Sequence, residues 1–208
     1  MNPRIETVLR NHPALEPCVP DIESVYARLR DSYAQGGKLL LCGNGGSAAD
    51  ADHISGELLK GFQSKRPLSD TDQTLIGPDL APHLQQALPA IPLTSFNALA
   101  TAYTNDVNAE YIYAQLVLGL GRAGDCLLGI STSGNAKNVG HALRVARAKG
   151  VTTLGLSGES GGAMRDLCDV IVRVPSTETF RIQEFHLPIY HALCLMLEDH
   201  FFETDANH

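Results

Sequence analysis

Four short apolar runs, KLLLCG, DCLLGI, VTTLGLSG and DVIVRVP, alternate with segments of helical period, and this alternation is what most restricts the fold. Runs that are apolar throughout suit strands buried on both faces, and parallel strands need a helical crossover between them. The alternation therefore predicts βαβ units: an α/β fold, a mostly parallel sheet with helices on both faces. In the first helical segment Ile22, Val25, Tyr26, Leu29 and Tyr33 recur at helical spacing, and Gly36 and Gly37 close it. SAADADHISGELLKGF predicts a helix opened by Ser47, with Asp50 three residues on as in a capping box. FRIQEFHLPIYHALCLMLEDHFF predicts a long last helix, kinked where Pro188 removes the donor to the Glu184 carbonyl.

The stretch from about 63 to 92 breaks the rhythm with Pro67, Pro78, Pro82, Pro89 and Pro92. It reads as a surface loop, with one short helix at HLQQAL. A chain of 208 residues is of single-domain size, so residues 1–208 are expected to form one domain. Residues 1–36 form an N-terminal helical arm, and 68–88 a Pro-rich insertion.

Charge narrows the partners. Sixteen Lys and Arg stand against 23 Asp and Glu, a formal balance of −7 with no basic run, which argues against nucleic acid. No apolar stretch approaches the roughly 18–20 residues of a membrane span, and the N-terminus lacks a signal core. A soluble, cytoplasmic enzyme or ligand-binding module is expected, with no membrane partner. The five cysteines (Cys18, Cys42, Cys126, Cys168, Cys194) form no C-x-x-C pair and read as small core residues. Cys42, near a helix start, is the one candidate thiolate.

Two loops share one architecture. CGNGGSA (Cys42 to Ala48) and GISTSGNA (Gly129 to Ala136) each leave a strand through small and hydroxyl residues and enter a helix. Such loops cluster at the carboxyl ends of parallel strands, where ligands bind. Backbone N–H groups and helix N-termini favour an anion, and Ser47, Ser131, Thr132 and Ser133 add hydroxyl donors. The pattern is a phosphate cradle without lysine. It is neither a Walker A loop nor a G-x-G-x-x-G fingerprint, so ATP and NAD lose their main support.

His53 and Glu57 lie four apart on one helix face, joined by Asp50, one to two turns below that cradle. In the last helix Gln183 and His191 are eight apart and share a side. His191 sits among apolar residues and is expected to be partly buried, whereas Glu184, His186, His200 and His208 read as surface residues.

Taken in order, CGNGGSA with DADHISGE, GDCLLGISTSGN, and RIQEFH with His191 resemble the sugar isomerase (SIS) domain family, and within it the phosphoheptose isomerases. The resemblance spans roughly Tyr33 to Glu203. It implies a flavodoxin-like sheet and a homotetramer whose active sites are shared between subunits. It implies conversion of sedoheptulose 7-phosphate to D-glycero-D-manno-heptose 7-phosphate through an enediol, with Glu57 as base and His191 as acid. It further implies phosphate and substrate contacts at Asn44, Gly45, Gly46, Ser47, Asp106, Ser131, Thr132, Ser133 and Gln183. The implied cofactor is a divalent metal, Zn²⁺, on His53, Glu57, Gln183 and His191. Four features depart from the family pattern: Ala136 replaces a hydroxyl residue, Lys60-Gly61-Phe62 stands where the family has an arginine in a segment like T-G-R-Y, the 68–88 stretch is long, and Pro188 is unusual. The alternative is a non-catalytic SIS tetramer, a sugar-phosphate sensor or a regulator binding the replication initiator DnaA. Such relatives lack a carboxylate like Glu57 and a histidine like His191.

Overall fold

The computed structural model describes residues 1–202. Five parallel strands form one sheet in the order β2-β1-β3-β4-β5. They are β1 (Leu39–Gly43), β2 (Ala90–Pro92), β3 (Cys126–Ser131), β4 (Thr152–Ser157) and β5 (Val170–Arg173). The chain moves from β1 outward to β2, then crosses back so that β3 pairs with the other side of β1. That reversal makes the β1/β3 boundary the topological switch point of a flavodoxin-like order, outside whose carboxyl edge ligands bind.

Side-chain alternation along β1 sorts the helices into two layers. Leu39 and Leu41 pack with α1 (Pro3–Asn11), α2 (Val19–Ala34), α3 (Gly46–Leu59) and α8 (Thr179–Phe202). Leu40 and Cys42 face the opposite layer, α6 (Ile112–Leu120) and α7 (Lys137–Ala148). The N-terminal arm is part of this core: Ile5 of α1 is buried in it, and α1 lies along α8. All five cysteines are buried and free. Burial pushes the Cys42 thiol far up, which removes it as a thiolate.

The Pro-rich segment differs from expectation. HLQQAL forms no helix. Instead α4 (Asp70–Ile76) forms earlier, where Ser69 accepts from the Asp72 N–H and two aspartates occupy the first turn. A 3₁₀ turn covers Ala81–His83, and β2 follows. Pro92 is tolerated in β2 because the strand lies at the sheet edge. Ser47 does not cap α3: the helix starts at Gly46, Gly45 is the cap at φ 56°, and no side-chain cap bond forms.

His186 is a further correction, being fully buried rather than on the surface. Ile182, His186, Ile189 and Leu193 make one buried stripe at helical spacing, which carries the imidazole inside. His200 and Glu184 are exposed as expected; His208 lies outside the described residues. The helix α8 runs through Pro188 without interruption. Among the described residues, no helix is long and apolar enough to cross a membrane.

Candidate active site

Both Gly/Ser loops open at the switch point, since β1 and β3 are neighbours in register, Gly43 opposite Ile130. A reciprocal amide pair ties the first loop to the first turn of α7, which follows the second loop: Asn44 Nδ2 donates to Asn138 Oδ1 at 3.0 Å and Asn138 Nδ2 to Asn44 Oδ1 at 2.8 Å. Ser47 and Ser131 are buried at the loop mouths, Thr132 is half-buried and Ser133 exposed. The second loop is held from behind, where the Gly158 N–H donates to the Thr132 carbonyl and the Met164 N–H to that of Gly134. Gly134, at φ 66°, leaves no room for a Cβ against the Gly161 backbone. The Gln183 amide of α8 lies directly over Gly46, so α8 reaches the first loop.

Below the loops, α3 and α8 bring their polar residues together. His53 Nε2 lies 3.3 Å from Glu57 Oε1. The His53 and His191 rings stand edge to face with centroids 5.0 Å apart. His191 Nε2 is buried without a hydrogen-bond partner. Burial lowers the His191 pKa, the neighbouring His53 adds to this, and Glu57 opposes it. Glu57 Oε2 accepts from Lys60 Nζ at 2.8 Å, so one of the departures from the family pattern acts directly on the carboxylate.

The geometry of this pair depends on a buried ion pair behind it. Arg66, the one described non-glycine residue at positive φ (46°), donates from Nε to Glu198 Oε1 at 2.7 Å, from Nη1 to the Leu58 carbonyl at 2.8 Å and from Nη2 to the Glu57 carbonyl at 3.2 Å. It thereby satisfies carbonyls at the end of α3 that a helix leaves open. Glu198 also accepts the N–H groups of Phe62, Gln63 and Ser64. Burial raises the Glu198 pKa, but these bonds and Arg66 outweigh it and leave the carboxyl below its ordinary value.

Asp106 is not brought to the loops. It is exposed at the end of α5 (Asn97–Asp106), and its carboxylate accepts from Asn105. His53, Glu57, Gln183 and His191 are of the right types for a divalent ion, and the unpartnered nitrogen of His191 suits a ligand. As arranged, however, no group of three or more His, Cys, Asp or Glu among the described residues is set to hold a metal. Sequence reading missed Asn138, Arg66, Glu198 and Tyr190, whose hydroxyl meets His53 and Asp50. Only Glu198 left a trace, four residues after the buried Cys194 of the same helix.

The SIS domain signature matches residues 19–158. The chain belongs to the SIS domain family. Within that family, the phosphoheptose isomerase of Burkholderia pseudomallei (strain K96243) is 44% identical over 171 residues, 82% of this chain and 77% of that protein. That of Roseiflexus sp. (strain RS-1) is 41% identical over 189 residues, covering 91% and 86%. The structure of phosphoheptose isomerase GmhA from Neisseria gonorrhoeae superposes with a TM-score of 0.76 at 32% identity, covering 94% of each chain. The phosphoheptose isomerase structure from Francisella tularensis gives 0.77 at 31% identity with the same coverage. With phosphoheptose isomerases matching it at 41–44% identity over 82–91% of its length, the chain is a sugar-phosphate isomerase.

Proposed function

We propose that the enzyme interconverts sedoheptulose 7-phosphate and D-glycero-D-manno-heptose 7-phosphate. The observation that carries this reading is the approach of His53 and Glu57 on α3 to His191 on α8, beneath paired Gly/Ser loops at the switch point. The relatives' names support a phosphoheptose as the substrate class; the particular heptose is the one that the family resemblance implies.

The 7-phosphate docks at the loops, against backbone N–H groups and the hydroxyls of Ser47, Ser131, Thr132 and Ser133, with Asn44, Gly45, Gly46 and Gln183 bordering it. This anchoring leaves the C1–C2 end of the open-chain sugar to the α3–α8 side chains. Glu57, paired with Lys60 and His53, takes a proton from C1 of the ketose. The electron pair of that C–H bond forms the C1=C2 double bond, and the carbonyl π pair moves onto O2, which gains a proton from His191. The enediol then loses the O1 proton to His191 while Glu57 returns its proton to C2, leaving the C1 aldehyde. His191 is suited to this shuttle because burial keeps it neutral, one nitrogen donating and the other accepting.

His53, Glu57, Gln183 and His191 are also the residues that would hold a divalent ion, Zn²⁺, which when bound supplies Lewis-acid polarisation of the sugar oxygens. Lys60 competes with such an ion for Glu57.

A homotetramer with shared sites belongs to the same reading. The helix α5 buries none of its residues, and Val107, Tyr111 and Leu118 expose apolar surface nearby in the chain, as expected of faces covered by another protomer. Asp106 would then serve a neighbour's site. Incubation with sedoheptulose 7-phosphate in D₂O, with and without chelator, tests the activity: deuterium should enter at C1 and C2 by NMR. No exchange under any metal condition would overturn the reading.

A further inference from the structure

Tyr190 precedes His191 on α8 and is almost wholly buried, yet its hydroxyl is the middle of a chain of polar contacts. The O–H donates to Asp50 Oδ1 at 3.2 Å, and the same oxygen lies 3.1 Å from His53 Nδ1. Asp50, His53 and Glu57 occupy successive turns of one face of α3, so the chain continues through His53 Nε2 to Glu57 Oε1. A tyrosine has one hydroxyl proton, whereas an ionised carboxylate only accepts. Asp50 Oδ2 is buried with no partner of its own, so the carboxylate depends on Tyr190 for its one side-chain donor among the described residues. The phenol proton therefore goes to Asp50, and the phenol oxygen accepts from His53. His53 must then carry a proton on Nδ1. Its Nε2 is left facing a carboxylate oxygen of Glu57, and two acceptors in that position need a cation or a proton between them.

We infer that Tyr190 and Asp50 are positioning residues that hold a proton on His53 Nδ1 and so reserve Nε2 for the cation or proton shared with Glu57. The inference rests on the reading of His53 as a member of the active site. Without the phenol oxygen nothing retains the Nδ1 proton; Nε2 takes it, donates to Glu57, and ceases to be a ligand. Outer hydrogen bonds of this kind orient metal-binding histidines, and their loss typically weakens metal affinity about 10–100-fold.

The test uses the full chain labelled with ¹⁵N-histidine, first metal-free and then loaded with Zn²⁺, and reads the protonated nitrogen of His53 from long-range ¹H–¹⁵N correlations. In the unaltered protein Nδ1 should be protonated in both forms. Tyr190→Phe should move the proton to Nε2 in the metal-free form and weaken Zn²⁺ binding, measured by chelator competition, by about 10–100-fold. Asp50→Asn, whose amide can donate to the phenol oxygen and turn its proton towards His53, should give the same shift with a minimal change of shape. It serves as the second variant if Tyr190→Phe does not fold. An unprotonated Nδ1 in the unaltered protein, or a tautomer and Zn²⁺ affinity left unchanged by the folded variants, would overturn the inference. The isomerase reading fails separately: a chain with the expected tautomers but no proton exchange into sedoheptulose 7-phosphate loses that function and keeps this hydrogen-bond chain.

Discussion

Arg66 and Glu198 meet at 2.7 Å with both side chains sealed from solvent, and the pair fastens the end of the helix that bears Glu57 to the helix that bears His191. Removing one member strands the other charge. Glu198→Ala leaves a buried guanidinium without its counter-charge and three backbone N–H groups without their acceptor, and should cost about 3–5 kcal/mol in denaturant unfolding. A loss under 1 kcal/mol would mean that the pair does not hold the two helices together.

Glu57→Gln removes the proposed base and keeps the shape. General-base loss is worth about 10²–10⁴-fold in turnover, so kcat should fall by that range while calorimetry still detects sugar-phosphate binding. Turnover near that of the unaltered enzyme would assign the base elsewhere.

The double variant Ser131→Ala with Ser133→Ala tests the anion cradle. Each hydrogen bond to a charged group is worth about 1.5–3 kcal/mol, so KM should rise at least tenfold with a smaller change in kcat. An unchanged KM dismisses the hydroxyls as phosphate donors.

His186 sets an acid limit on stability. Both ring nitrogens are buried, and burial lowers the pKa from the ordinary 6.5 to about 4, against a smaller opposing effect of the Ser157 backbone. The unfolded chain takes up the proton below about 6.5 while the folded one refuses it until about 4. Stability from this residue is therefore intact above that window and is lost as pH falls through it, by about 3 kcal/mol at 1.36 kcal/mol per unit. Unfolding curves from pH 7 to 4 should flatten in His186→Leu relative to the unaltered protein; parallel curves would deny the assignment.

What the sequence reveals here is what repeats or lies close in the chain. Apolar runs announce β1, β3, β4 and β5, the Gly/Ser loops mark the ligand edge, and i,i+4 spacing pairs His53 with Glu57. The missed features are pairings made across long stretches of chain. Asn44 and Asn138 are 94 residues apart, His53 and Tyr190 137, and Arg66 and Glu198 132. No local spacing foretells that a lysine-arginine dipeptide beside a proline sends its arginine inward. β2 escapes because three residues with a proline carry too little alternation, and α4 because its capping serine, not an apolar stripe, starts it. His186 is a different failure, since the stripe that buries it was visible in the spacing of Ile182, Ile189 and Leu193.

The clasp between Asn44 and Asn138 is built from uncharged amides. Dissolved electrolyte largely screens exposed charges more than about 10 Å apart at 0.1 M, but it has no formal charge to screen in this clasp. Raising ionic strength should thus loosen the grip on a dianionic sugar without changing how the first loop is held to the start of α7.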